Sequence, residues 1–240
     1  IPYQVEEGLT VLEAARRCGF EIPSLCAFNH GECSQASCRV CLVKVNTSRS
    51  LVASCIYPVS DGIEISISDP MAIEARRTSV ELLLSNHAQN CQACDKNGKC
   101  ELLYVAQQVG PREGKYKGNK TKTTYERLNP SIVRDTSKCI LCGRCIARCS
   151  SAHGMGILGF QNRGFNTIVG PAENRGFADS PCIMCGQCTS VCATGALMDR
   201  IDILDIDKAL HDGKFVICQT APAVRAALGE EFGYPVGTPV

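Results

Sequence analysis

The chain has 240 residues, a formal net charge of +1, no Trp and 5% aromatic residues, but 18 cysteines. Its near-neutral charge gives no bulk attraction to nucleic acid or a membrane surface, and no apolar run has the length of a membrane span. The opening Ile1-Pro2-Tyr3-Gln4 carries no secretion-signal pattern, so the cysteines read as metal ligands in a reducing, anaerobic cytoplasm rather than as a disulfide framework.

Residues 1–70 read as a small α+β unit. Thr10 and Glu13 form a capping box before Val11-Leu12-Glu13-Ala14-Ala15, and Gly19 marks the helix end. Strand signals follow at Val40–Val45 and at Ile63-Glu64-Ile65-Ser66-Ile67, where Ile alternates with polar residues. Cys26, Cys38, Cys41 and Cys55 lie here, separated by x11, x2 and x13. The plant-type 2Fe–2S pattern has a short x4 first gap, then x2, then a distant fourth Cys. Cys33 before Cys38 copies the x4 gap, so spacing alone leaves Cys26 and Cys33 both open as the first ligand. The helix-then-loop order suits a β-grasp ferredoxin fold lacking its first strand.

Asp69 and Pro70 then open a second helix, as N-cap and first-turn proline, running toward Asn86. His87, Cys91, Cys94 and Cys100 follow as His-x3-Cys-x2-Cys-x5-Cys. Alone, His87 reads as a helix-end cap. With three cysteines at these gaps it reads as the fourth ligand of a 4Fe–4S cubane. Residues 111–122, with Arg112, Lys115, Lys117, Lys120 and Lys122 among Gly and Asn, read as a solvated linker.

Cys139, Cys142, Cys145 and Cys149 then form Cys-x2-Cys-x2-Cys-x3-Cys, and Cys182, Cys185, Cys188 and Cys192 repeat it. This is the ligand run of bacterial two-cluster ferredoxins, in which the fourth Cys of each run serves the other cluster. The two 4Fe–4S sets are therefore Cys139, Cys142, Cys145 with Cys192, and Cys149 with Cys182, Cys185, Cys188. Zinc sites usually pair two Cys-x2-Cys knuckles across a longer gap, which is not this pattern. Gly143 and Gly186 sit at matching loop positions, where backbone must approach sulfide closely. Ser150 and Ala193 replace the proline that usually follows the fourth Cys. Units this small bury too little surface to be stable unaided, and cluster binding can supply the difference.

Three cysteines remain. Cys18 reads as core on the first helix, and Cys218 as part of a buried strand with Phe215-Val216-Ile217. His30, His153 and His211 have no cysteine grouping and read as surface residues. The absence of Met at position 1 and of a closing element at Gly237-Thr238-Pro239-Val240 leads to the expectation that both ends are cut.

The order of sites is more informative than any one of them. A 2Fe–2S unit, a cubane held by one histidine and three cysteines, and a two-cubane module in series resemble the amino-terminal part of iron-only (FeFe) hydrogenases. The series also resembles the large iron–sulfur subunit of NADH dehydrogenase and the alpha subunit of NAD-dependent formate dehydrogenases. In those families the first site follows Pro-x-Leu-Cys, present here as Pro23-Ser24-Leu25-Cys26, which favours Cys26 over Cys33. The stretch from Gln219-Thr220-Ala221-Pro222 to Gly233 looks like the opening of the hydrogenase catalytic domain, in the form used by multi-subunit, NAD(P)-linked and electron-bifurcating enzymes. The resemblance implies four domains: residues 1–70, 2Fe–2S; 71–125, His-ligated 4Fe–4S with linker; 126–212, two 4Fe–4S clusters; and 213–240, a truncated catalytic domain. It implies no catalytic residue in this stretch, an H-cluster in the missing continuation, and partners that are NADH-dehydrogenase-like flavin and iron–sulfur subunits or ferredoxin, in a hetero-oligomer. It also implies that the cubane of Cys149, Cys182, Cys185 and Cys188 lies nearest the H-cluster.

Overall fold

The computed structural model describes residues 2–28, 32–112, 114–118, 120–121 and 123–238. His30 lies outside them. Local capping sets the first helix. The Thr10 hydroxyl accepts the Glu13 N–H at 3.3 Å, and the Glu13 carboxylate accepts the Thr10 N–H at 2.9 Å. This reciprocal cap, worth about 1 kcal/mol, starts α1 (Val11–Arg17), which buries Val11, Leu12, Ala14 and Ala15. Cys18 caps its end, half-buried rather than in the core, and Gly19 follows with φ of 81°.

Strand β1 (Leu42–Val45) pairs antiparallel with β2 (Val52–Ala53) on one side and β3 (Ile65–Ser66) on the other. The expected strand over residues 63–67 is thus trimmed to two residues. Ile63, Ile65 and Ile67 still pack against the core. The alternation identified the inward face, but it does not determine how far a ladder extends. Helix α2 (Pro70–Asn86) begins as expected. Asp69 accepts the Met71 and Ala72 N–H groups at 2.9 and 3.2 Å, with Pro70 at the first position. Helix α3 (Glu101–Val109) follows and ends at Gly110, whose φ of 64° lets it take the left-handed cap.

The described residues of the stretch after α3 are mostly exposed, as a solvated linker is, but the stretch is also tied down at several points. Arg112 donates from its Nε and backbone N–H to Glu81 on α2, both at 2.9 Å, and Lys115 reaches the same carboxylate at 3.6 Å. Thr121 and Asn86 exchange two further hydrogen bonds. Glu81 is buried among helix neighbours. Burying a carboxylate is tolerable only with such partners, and the cations of the linker supply them.

The second half begins with β4 (Tyr125–Glu126) and β5 (Ile132–Asp135). Helix α4 (Arg144–His153), the hairpin of β6 (Gly159–Gln161) and β7 (Ile168–Gly170), the short α5 (Gln187–Ser190) and β8 (Leu197–Asp199) follow. The sheet order is β4-β5-β8, all antiparallel. Arg134 and Glu126 form a buried pair at 3.0 Å, and Arg134 also donates to the Val169 carbonyl at 3.1 Å. These bonds tie the sheet to the hairpin. One apolar cluster runs through Leu12, Leu25, Val43, Val80 and Leu102 to Ile140, and another gathers Ile132, Leu158, Val169, Phe177 and Leu197.

Contacts divide the chain after Arg200. The smaller unit, Ile201–Val240, contributes α6 (Ile203–His211) and α7 (Pro222–Glu231), the latter opened by Pro222. The strand expected at Phe215-Val216-Ile217 is absent: these residues belong to no ladder, Phe215 is 91% exposed, and Cys218 is exposed. A strand needs a neighbouring strand to satisfy its backbone, and the described residues of this unit include none. His153 and His211 are exposed, as expected. Among the described residues no helix is long and apolar enough to cross a membrane.

Candidate metal centres

The two Cys-x2-Cys-x2-Cys-x3-Cys runs fold alike because the same backbone conformations recur in them. Leu141 and Met184, each just before the second cysteine of its run, have φ of 54° and 57°. Gly143 and Gly186 follow with φ of 78° and 71° and cap α4 and α5. These left-handed residues curl each loop so that its amides turn inward. The Leu141 N–H donates to Cys139 Sγ at 3.5 Å and the Met184 N–H to Cys182 Sγ at 3.4 Å. A left-handed non-glycine residue costs about 1–2 kcal/mol, so both loops store strain that a ligand can offset.

The thiols then cross between runs. Cys139, Cys142, Cys145 and Cys192 line one cavity, and Cys149, Cys182, Cys185 and Cys188 line a second. Burial pushes the Cys139 thiol up to about 11, and those of Cys142 and Cys188 up to about 12, while Cys145 is raised well above its ordinary value for the same reason. Such thiols keep their protons at neutral pH unless a cation displaces them. Iron does this when it binds thiolate.

In the amino-terminal unit Cys26, Cys38, Cys41 and Cys55 are all buried and adjacent. Hydrogen bonds from Cys38 and Cys55 lower the Cys26 thiol, and the same bond to Cys26 raises both partners. Cys41 is brought down to about 6, chiefly by its bond with Cys55. Cys33 is also buried and lies near enough to feel the Cys26 charge, while its Sγ donates to the Cys142 carbonyl at 3.8 Å.

His87 caps the end of α2, where its backbone N–H donates to Leu84 at 3.2 Å. Its ring is buried, and Nδ1 has no hydrogen-bond partner among the described residues. Burial first, and the Lys138 charge second, hold the imidazole below its ordinary value and so neutral. A buried, neutral ring nitrogen without a partner is the state a metal-binding histidine needs. Cys91 is exposed, and Cys94 and Cys100 are half-buried. Cys94 Sγ approaches Gly195 so closely that an added Cβ would lie 2.9 Å from it, so only glycine lets this thiol meet the loop after Cys192.

The candidate donors are eight thiols lining two cavities and four buried thiols in the amino-terminal unit, with His87, Cys91, Cys94 and Cys100 as a fourth candidate set. These suit iron–sulfur clusters, which thiolate and neutral imidazole both hold. Among the described residues no three His, Cys, Asp or Glu side chains converge on a position for a single ion. Spacing did not reveal the cations around these groups. Arg76 is buried and donates to the Leu42 carbonyl at 2.7 Å beside Cys41. Lys138 sits between Cys94 and Asp135. Arg144 is buried between the first and third thiol groups. The second run carries Gln187 at the place matching Arg144, a difference that does not by itself show what Arg144 touches.

Comparison with known proteins gives the same order of domains. Residues 1–70 match the 2Fe-2S iron-sulfur cluster binding domain, 76–115 the NADH-ubiquinone oxidoreductase-G iron-sulfur binding region, and 131–193 the 4Fe-4S dicluster domain. The chain is 44% identical over 98% of its length to NADP-reducing hydrogenase subunit HndD of Solidesulfovibrio fructosivorans, and 33% identical over 100% to iron hydrogenase 1 of Clostridium pasteurianum. It spans 41% and 42% of those two proteins. The mitochondrial NADH dehydrogenase [ubiquinone] iron-sulfur protein 1 of Solanum tuberosum is 35% identical over 70% of the chain, which covers 23% of that protein. A chain in the crystal structure of an NAD+-reducing [NiFe]-hydrogenase in the H2-reduced state superposes with a TM-score of 0.74 at 28% identity, covering 83% of each chain.

Proposed function

We propose that this chain, with 2Fe–2S and 4Fe–4S domains homologous to those of hydrogenase and NADH-dehydrogenase subunits, is the electron-relay portion of an iron-only hydrogenase. The domain bounds we assign are 1–70, 71–125, 126–212 and 213–240. Cys26, Cys38, Cys41 and Cys55 hold one 2Fe–2S cluster. His87, Cys91, Cys94 and Cys100 hold a 4Fe–4S cluster, as do Cys139, Cys142, Cys145 with Cys192, and Cys149 with Cys182, Cys185 and Cys188. When bound, these groups supply one-electron transfer. The chain's own residues bury many of the thiols, aim amides at sulfur in the two repeated loops and hold His87 neutral. Further sequence would carry the H-cluster, where protons and dihydrogen interconvert, and 213–240 would begin that domain. Electrons would come from or go to NADH-dehydrogenase-like flavin and iron–sulfur subunits or ferredoxin, within a cytoplasmic hetero-oligomer of an anaerobe.

One observation carries this reading. The hydrogenase relatives align over 98% and 100% of the chain, whereas the NADH-dehydrogenase relatives align over 67% to 70%. Anaerobic reconstitution should load about 14 iron atoms, as one two-iron and three four-iron sites require. About ten would remove one cubane from the assignment, and a nearly iron-free protein would overturn it. A second reading is a relay subunit without its own catalytic domain, equivalent to that of an NADH or formate dehydrogenase or a free-standing multi-cluster ferredoxin. The solved chain of comparable length favours it. The gene beyond Val240 separates the two: H-cluster cysteine motifs support the first, and a stop codon the second.

A further inference from the structure

Arg144 is a buried cation that ligand spacing does not require. Its side chain is 4% exposed. It lies between Cys142 and Cys145 in the chain and opens α4. Nη1 donates to Glu101 at 2.7 Å, and Nη2 donates at 3.2 Å to the carbonyl of Ala27, the neighbour of Cys26. The guanidinium lies 5.5 Å from the centre of the Phe28 ring, which Arg148 also faces at 5.0 Å. Nε is buried with no partner among the described residues. The Arg144 charge acts on both Cys142 and Cys26, which belong to different thiol groups.

Burying a guanidinium is costly, and a neutral or apolar side chain would join the two segments at less expense. The second run shows that the loop does not need the charge: Gln187 stands at the matching place, with the same left-handed glycine before it. The charge therefore has a use particular to this repeat.

We infer that Arg144 is a shared tuning residue whose fixed charge sets, together, the reduction potentials of the Cys26-Cys38-Cys41-Cys55 site and the Cys139-Cys142-Cys145-Cys192 site. The inference rests on the preceding reading that both hold clusters. Gaining an electron makes a cluster more negative, so a nearby buried cation favours the reduced form and raises the potential. A charge placed between two sites raises both together, shifting the pair relative to the other clusters while leaving the step between the two nearly unchanged. Glu101 offsets part of this charge, but it is half-exposed and screened by water.

The test is a redox titration of the reconstituted chain, followed by paramagnetic resonance. In Arg144→Gln both midpoints should fall by about tenfold in the one-electron equilibrium, ~59 mV, while the sites of His87 and of Cys182 hold. Arg144→Lys should stay near the native values. Glu101→Gln changes a half-exposed side chain and spares folding; it should raise both midpoints by leaving the guanidinium unopposed. Unchanged midpoints in Arg144→Gln and Glu101→Gln with all signals present would overturn the inference, as would a shift confined to one of the two sites. If Arg144→Gln loses its signals, Glu101→Gln decides alone. A native chain that binds no iron would instead overturn the functional reading, and this inference with it.

Discussion

The two cysteine runs share their spacing and their backbone but not their surroundings. In the first, Ile140, Cys142 and Arg144 are buried, and the Gln35 side chain lies over Gly143 so tightly that any Cβ there would collide with it. In the second, Ile183 is 53% exposed and Cys185 lies open to solvent. The loop conformation is local, fixed by four or five residues. The environment comes from residues over a hundred positions away, such as Ala27 and Gln35 against α4. Two sites with one ligand pattern can therefore work at different potentials, because burial and nearby charge tune a cluster as strongly as its ligands do.

The largest effect available is to break the crossing between the runs. Cys192→Ala should erase the signal of the more buried site and spare the other, although Cys192 belongs by sequence to the second run. Cys149→Ala should do the reverse. Each loses about four of the iron atoms, read by iron analysis with paramagnetic resonance. If each variant instead loses the site of its own run, the cavities are not the binding sites and the crossed assignment fails.

Local features were legible in the sequence and distant ones were not. The Thr10–Glu13 box and the Asp69-Pro70 start each follow from a few neighbouring residues, and each is present; Gly143 and Gly186 stand out by their matching places, and the structure shows left-handed backbone at both. The basic stretch read as a solvated linker is mostly exposed but is also anchored by Glu81, a partner 31 residues away in sequence, which no window of composition contains. The apolar Phe215-Val216-Ile217 run read as a buried strand is exposed, because apolar character does not supply the neighbouring strand. The two repeated runs stood out because clusters demand fixed thiol spacing, whereas spacing alone left Cys26 and Cys33 both open. Arg144 was not legible, because its role depends on a contact with Ala27.

A smaller effect should come from giving the second run the charge it lacks. Gln187 is half-buried at the start of α5, one residue before Cys188. Gln187→Arg should raise the midpoint of the site holding Cys182, Cys185 and Cys188 by about threefold in the equilibrium, ~28 mV for one electron. Water over Cys185 and Ile183 screens a charge there more than protein screens Arg144. The other three midpoints should hold in the same titration. A rise as large as the fall in Arg144→Gln would show that exposure does not separate the repeats, and the contrast between them would lose its physical basis.

The smallest effect concerns the strain that the repeats share. Leu141 and Met184 both hold left-handed backbone, and glycine there would relieve about 1 kcal/mol each. The side chains differ. Met184 is 37% exposed, while Leu141 packs against the second apolar cluster. Removing Leu141 should forfeit at least the amount gained, since a buried leucine contributes about 1.5–3 kcal/mol and a half-buried one a fraction of that. Met184→Gly should therefore raise the anaerobic melting midpoint by about 2–4 °C, the shift that about 1 kcal/mol produces in a chain of this size. Leu141→Gly should leave it unchanged or lower it. Scanning calorimetry of the loaded protein reads both. Equal losses in the two variants would mean that Met184 is held by its side chain after all, and that the second run is packed more like the first than its exposure implies.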